Sequence, residues 1–309
     1  MRMKLVIALA ALLSATAAHA GTIVVSTSKL DKFRALLVDA MKAAAQAKPG
    51  VTLIVESANG DRELQLEQMR KSAGQKIDAM IVISSDGDQG PRMTEIGKQA
   101  GVPLVFVNTS PANLADLPDS QVYVASDEKE SGTLQAQEVC RQLHGKGKAV
   151  VLIGEPFHFA ARTRTNDVDA VFAQPDCSGI QIVERQAAYW SRDYASQQMQ
   201  EWLKAGVTFD AVIANNDEMA LGAIQGLKQA GRAPKDIVIA GIDATNDALM
   251  AMQAGDLDMT VLQDANGQGK GAVEAAIKLA AGQKVPRETY IPFQLVTQQN
   301  LPQYLPKSQ

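Results

Sequence analysis

From residue 21 onward the chain alternates two textures. Short, largely apolar runs rich in Val and Ile fall at 22–26, 52–56, 79–84, 103–107, 122–124, 149–153, 180–183, 211–214, 237–241 and 259–262. A strand with one wet face would alternate polar and apolar positions. These runs do not, which predicts strands covered on both faces, as in parallel sheets. The segments between them carry helical spacing; in the first, Phe33, Leu36, Leu37, Ala40 and Met41 fall on one stripe. Alternating strands and helices predict an α/β fold. Ten strands are too many for one small domain, and 309 residues suffice for two cores. The expected architecture is two doubly wound parallel-sheet lobes joined by a multi-strand hinge. Crossings are expected at Ser126-Asp127 and Gln263-Asp264, and the tail over 289–296 offers a third. That assigns 21–125 with 264–290 to the N-terminal lobe, and 126–263 with 291–309 to the C-terminal lobe.

Polar residues stand where the apolar runs end. The run at 211–214 leads into Asn215-Asn216-Asp217, a helix follows, and the run at 237–241 ends near a lone carboxylate, Asp243. In open parallel sheets ligands bind at the carboxyl ends of strands. The two amides donate and accept, and a carboxylate accepts from two hydroxyls, chemistry suited to a neutral polyol rather than an anion.

Composition narrows the class. With 46% hydrophobic and 21% charged residues the chain is expected to be globular. A net charge of −4 without a basic block argues against nucleic acid as a partner. Arg2 and Lys4, the apolar run 5–13 and Ala18-His19-Ala20 make a secretory signal cleaved after Ala20. The run is well short of the roughly 20 residues that span a bilayer. Export permits a disulfide between Cys140 and Cys177, expected at the end of their lobe away from the ligand; two free thiols are the alternative.

Enzyme motifs fail on inspection. Gly267-Gln268-Gly269-Lys270-Gly271 has Asp264 where a phosphate loop opens on Gly, lacks the Ser or Thr after Lys, and falls within a predicted helix. There is no Gly-x-Ser-x-Gly elbow, and no His/Cys cluster with metal-ligand spacing. Asp86-Gly87-Asp88-Gln89-Gly90 lacks the distal Glu of a calcium loop and reads as a turn. No cofactor or metal is expected.

The strand-end residues are the better lead. Asp31 follows the first strand with Phe33 close behind, though Asp31 also suits a helix N-cap. Asn108 follows the strand at 103–107 and doubles as a turn former. His158, Arg162 and Arg164 follow the strand at 149–153, and cations at a helix start oppose the helix dipole, which argues a function for one arginine. Trp190 follows the next strand, as site or core; Asn216 and Asp243 complete the set. Aromatic faces stack on the C–H faces of a sugar ring, while amides, carboxylates and a guanidinium pair its hydroxyls. A buried hydroxyl left unpaired costs about 1–3 kcal/mol, so the polar ring sets specificity.

On YVASDEKESG (123–132), GEPFH (154–158), IANNDEMALGAI (213–224) and TVLQDANGQGKG (260–271), the chain resembles the periplasmic sugar-binding proteins of ABC importers. The likeness is to the ribose/galactose-binding group, closest to its glucose/galactose branch, over essentially all of the chain past the signal. It implies the type I periplasmic binding protein fold and no enzymatic step. It matches Asp31 and Phe33 to a sugar-binding acid and stacking aromatic, and Asn108, His158, Trp190, Asn216 and Asp243 to further contacts. Gln263 stands where the galactose branch has Asn and the ribose branch Gln. The binding arginine is Arg162 or Arg164, each fitting one branch's loop length. Ala160, Ser28 and Thr109 depart from the galactose pattern, and the short basic stretch His144–Lys148 replaces that branch's calcium loop. The implied ligand is a pyranose, an inositol or a related polyol, captured by hinge closure and delivered to a membrane ABC permease. A chemoreceptor or histidine kinase is the alternative partner. A repressor of the same fold is disfavoured by the signal where a helix-turn-helix would stand, and a secreted hydrolase by the lack of a catalytic set.

Overall fold

The computed structural model describes residues 21–305, so the expected signal at 1–20 and the last residues of the tail lie outside the described part. The strands are β1 (Gly21–Thr27), β2 (Val51–Ser57), β3 (Ala79–Ile83), β4 (Leu104–Val107), β5 (Gln121–Ala125), β6 (Lys146–Ile153), β7 (Gly179–Ala187), β8 (Ala211–Ala214), β9 (Val238–Ala240), β10 (Met259–Leu262), β11 (Glu288–Tyr290) and β12 (Gln294–Thr297). The helices are α1 (Lys32–Gln46), α2 (Arg62–Ala73), α3 (Gly90–Ala100), α4 (Glu128–Gln142), α5 (Phe159–Phe172), α6 (Arg192–Lys204), α7 (Asp217–Gln229), α8 (Asn246–Gln253) and α9 (Ala265–Ala280).

Two six-stranded sheets result, with orders β2-β1-β3-β4-β5-β11 and β7-β6-β8-β9-β10-β12. The same winding therefore occurs twice, and each sheet reverses direction beside its first strand, β1 or β6, where doubly wound sheets bind ligands. All pairings are parallel except β10 with β12.

Helices on both faces of each sheet explain the unbroken apolar runs of the inner strands, whereas the edge strands β2 and β7, expected to be covered on both faces, keep an exposed side, with Ile54 44% exposed. In β1, Ile23 and Val25 pack with residues of α1 and α9, while Val24 packs on the opposite face with α2 and α3. In β6, Val150 and Leu152 join α6, α7 and α8, while Ala149 and Val151 join α4 and α5. The chain passes between sheets from β5 to α4, from β10 to α9, which lies on α1 and β3–β5, and from β11 to β12 through 291–293. The glycine-rich stretch 267–271 is interior to α9, as its rejection as a phosphate loop requires.

Cys140, late in α4, is bonded to Cys177, in the loop leading to β7. The staple lies at the strand-start end of the second lobe, opposite the site. Closing a loop of 37 residues removes about 4 kcal/mol of chain entropy from the unfolded state.

Candidate ligand-binding site

Asp31, Phe33, Asn108, His158, Arg164, Trp190, Asn216, Asp243 and Gln263 line one cavity between the lobes, of about 630 Å³ including its open rim. Arg162 is not among its walls. Two residues before Arg164 on α5, it points to a different side of the helix, and its guanidinium donates to the Phe157 carbonyl outside the cavity. Asn215 is also turned away. Its Oδ1 accepts from Gly154 N at 3.1 Å and from Thr165 Oγ1 at 3.2 Å, tying the end of β8 to the loop before α5 and to α5 itself.

Several wall residues are helix caps as well. Asp31 caps α1, accepting from Arg34 N at 2.9 Å. Asn216 caps α7, its Oδ1 accepting from Met219 N at 3.1 Å, which leaves its amide NH₂ for the cavity. His158 caps α5 by accepting from Ala160 N on Nδ1 at 3.2 Å. The proton therefore sits on Nε2. Burial, followed by the charges of Arg34 and Arg164, pushes this imidazole down to about 3, so it is neutral. Cap and site were competing readings of Asp31, yet one carboxylate has lone pairs enough for both.

Backbone strain collects here. Five of the seven described non-glycine residues with positive φ are Asn108 (65°), Tyr189 (54°), Trp190 (62°), Asp243 (127°) and Ala244 (52°). Such conformations cost about 1–3 kcal/mol each and persist where surroundings fix them. Asp243 N donates to Val261 O at 2.8 Å, holding the turn against β10. Trp190 stands edge-on to His158 with centroids 5.5 Å apart, and the Arg164 guanidinium lies 5.9 Å from its ring. Its indole lies directly on the backbone at Gly154, where a Cβ would meet Cζ2 at 2.2 Å. Gly154 is thus fixed by close approach.

Two buried charged wall residues stand outside the set expected from the sequence. Glu128, first in α4, forms a buried two-pronged pair with Arg164, at 2.9 Å to Nε and 3.0 Å to Nη2. Arg164 Nη1 donates to Asn215 O at 2.8 Å and Nη2 approaches Gln263 Oε1 at 3.4 Å, so little of this guanidinium is free. Arg34, 5% exposed, pairs with Asp31 and donates to Ser84 O at 3.4 Å. A first-turn cation opposes the helix dipole, so the argument applied to Arg162 and Arg164 also marks Arg34. Glu128 gave no such signal, since an acid at a helix start is commonplace.

Asp243 differs from the other carboxylates. It is 7% exposed, and no hydrogen bond to its side chain is found among the described residues. Burial pushes it well above the usual carboxylate range; Arg164 opposes this, and Asp217, Asp31 and Glu128 add to it. Asp217 behind it accepts from Thr245 N and Thr260 Oγ1, both at 2.7 Å. Asp243 is an acceptor lacking donors, which hydroxyls would supply. Among the described residues no group of three or more His, Cys, Asp or Glu could hold a metal ion.

Residues 21–284 match the family model for the periplasmic binding protein domain. The chain belongs to this family. A Rhizobium meliloti protein named for rhizopine binding is 50% identical over 300 residues, 97% of each chain. A xylitol-binding protein of Mycolicibacterium smegmatis is 33% identical over 81% of this chain and 70% of its own. An ABC transporter solute binding protein from Bacillus halodurans, solved with bound myo-inositol, is 36% identical with a TM-score of 0.86, over 93% of this chain and 98% of that one. This periplasmic binding protein thus has the expected two-lobed fold, and its relatives bind ligands rather than transform them. Its family places it in the periplasm, and no described helix is long and apolar enough to cross a membrane.

Proposed function

We propose that this periplasmic binding protein captures a neutral ring polyol, an inositol or a pyranose, and delivers it to an ABC permease. The observation that carries the reading is Asp243, a buried carboxylate without a donor among the described residues, in a cavity that also presents the Asn216 amide and two aromatic rings. Phe33 and Trp190 stack on the ring faces. Asp31, Asn108, His158 Nε2, Asn216, Asp243 and Gln263 pair its hydroxyls, and Arg164 holds Glu128 and Gln263 in place around it. The myo-inositol of the Bacillus halodurans relative and the xylitol of the mycobacterial one favour an uncharged polyol.

The lobes, 21–125 with 264–290 and 126–263 with 291–309, pivot at the three crossings, and the ligand favours the closed state by touching both. Export proceeds by cleavage after Ala20, which N-terminal sequencing of the secreted protein would read. Isothermal titration with inositols, hexoses and pentoses tests the binding claim. Binding by a member of that panel, lost in Asp243→Ala, is expected; a panel without a binder, or an unaffected variant, refutes the site.

A further inference from the structure

A second crevice opens on the flank of the cleft, between the turns after β3 and β4 on one lobe and the start of α5 on the other. Phe159 is a wall of both this crevice and the ring cavity. Pro111, Leu114 and Ala115 form an apolar side, facing Phe157 and Arg162. Phe157 is 87% exposed, a phenyl ring left in water although the loop bearing it is anchored through Gly154. Arg162 is tied to the Phe157 carbonyl, and no carboxylate lies within ion-pair distance of it among the described residues. Elsewhere the rim is crossed by the ion pairs Lys29–Glu155 at 2.6 Å and Lys32–Asp247 at 3.6 Å.

We propose that the ligand range extends to O-linked two-ring glycosides, with the first ring in the cavity and the second in this crevice against Phe157 and Phe159. The inference rests on the polyol reading of the cavity. Two phenyl rings offer faces for the C–H surface of a second sugar ring, which stacks on aromatics as the first does. Arg162 donates to its hydroxyls, and the nearby Asp88 and Glu288 accept from them. Acids and base share this wall, so the chemistry fits an uncharged hydroxylated group. Phe159, the wall that cavity and crevice share, is where the glycosidic link would pass from the first ring to the second.

Isothermal titration of the mature protein decides the matter, with free rings (myo-inositol, galactose, glucose) run beside their glycosides (galactosyl-myo-inositol and the corresponding disaccharides). For the ring that binds, a glycoside should bind at least as tightly. Phe157→Ala should weaken the glycoside by about tenfold and leave the free ring unchanged. Ala115→Trp, which plugs the crevice, should act the same way. A free ring that binds while all its glycosides are rejected overturns the inference and spares the polyol reading. So does a glycoside whose affinity ignores both variants. Absence of binding by every ring, free or linked, sinks both.

Discussion

On the second-lobe side of the cavity, Arg164, Asn216 and Asp243 are 3%, 8% and 7% exposed, and Arg164 is locked to Glu128, Asn215 and Gln263. On the first-lobe side, Phe33 and Asn108 are part-exposed, and the Asp31 side chain keeps 30% of its surface. That wall is essentially the start of one helix plus a turn residue after β4. On the proposed reading, the second wall is held by its own partners before a ligand arrives, and the first completes the site as the lobes close. If the proposed site is right, the contrast places most of the affinity in the second lobe, with the first lobe supplying closure.

The largest effect should come from breaking the pair that stiffens the second wall. Glu128→Ala leaves Arg164 buried without its counter-charge, and such losses cost about 3–5 kcal/mol. Urea unfolding should show it; a loss below about 1 kcal/mol would mean the wall is fixed by something else. Asp243→Ala comes next, lowering affinity by about 3 kcal/mol, over a hundredfold, in titration. Its stability should move the other way. A carboxyl raised by burial holds its proton in the folded state after the unfolded chain has lost it, so stability falls as pH rises through that interval. At neutral pH the native protein bears that penalty and the alanine variant does not. A variant that loses both binding and stability would show that Asp243 supports the fold.

His158 tests the same wall through pH. Its folded value of about 3 lies below the ordinary 6.5, so as pH falls from 6.5 the unfolded chain takes up a proton that the folded protein refuses. Stability is lost at up to about 1.4 kcal/mol per pH unit over that interval. Asp217, raised to about 6 by burial, acts oppositely. The readout is therefore the difference between the native protein and His158→Gln, which should shrink by about 2 kcal/mol between pH 6.5 and 5. A pH-independent difference would place the imidazole in water.

What could be read from the sequence follows the same division. Apolar runs without alternation announced the strands, and the residues just past β1, β4, β6 and β8 fell on the cavity because strand ends converge in a doubly wound sheet. Position relative to a strand was legible; direction around a helix or turn was not. Arg162 and Arg164 share a helix start, and only the three-dimensional environment tells which faces inward. Asn215 and Asn216 are adjacent, and one fastens the frame while the other lines the cavity. Glu128 was hidden because its place is ordinary for an acid and its partner lies 36 residues away. The antiparallel β12 was hidden because a run of four residues carries no sign of its direction.

On the first wall, Asp31→Asn should weaken ligand binding by about tenfold, since the residue caps α1 and shares its carboxylate with Arg34. An effect as large as that of Asp243→Ala would erase the distinction between the walls. The smallest effect concerns closure alone. Lys29 and Lys32 of the first lobe reach Glu155 and Asp247 of the second; Lys32 lies on the cavity wall and the other three outside it, all about one-third to one-half exposed. Exposed pairs contribute about 0.2–1 kcal/mol and are screened by salt. If the second wall holds the ligand and the first lobe merely closes over it, Lys29→Ala should raise the dissociation rate a few-fold and leave association nearly unchanged. The change should vanish at about 1 M salt, where the screening length falls to about 3 Å. Stopped-flow fluorescence of Trp190 would follow it. A slowed association rate instead would mean that these lysines act before closure, and that the first lobe takes part in capture.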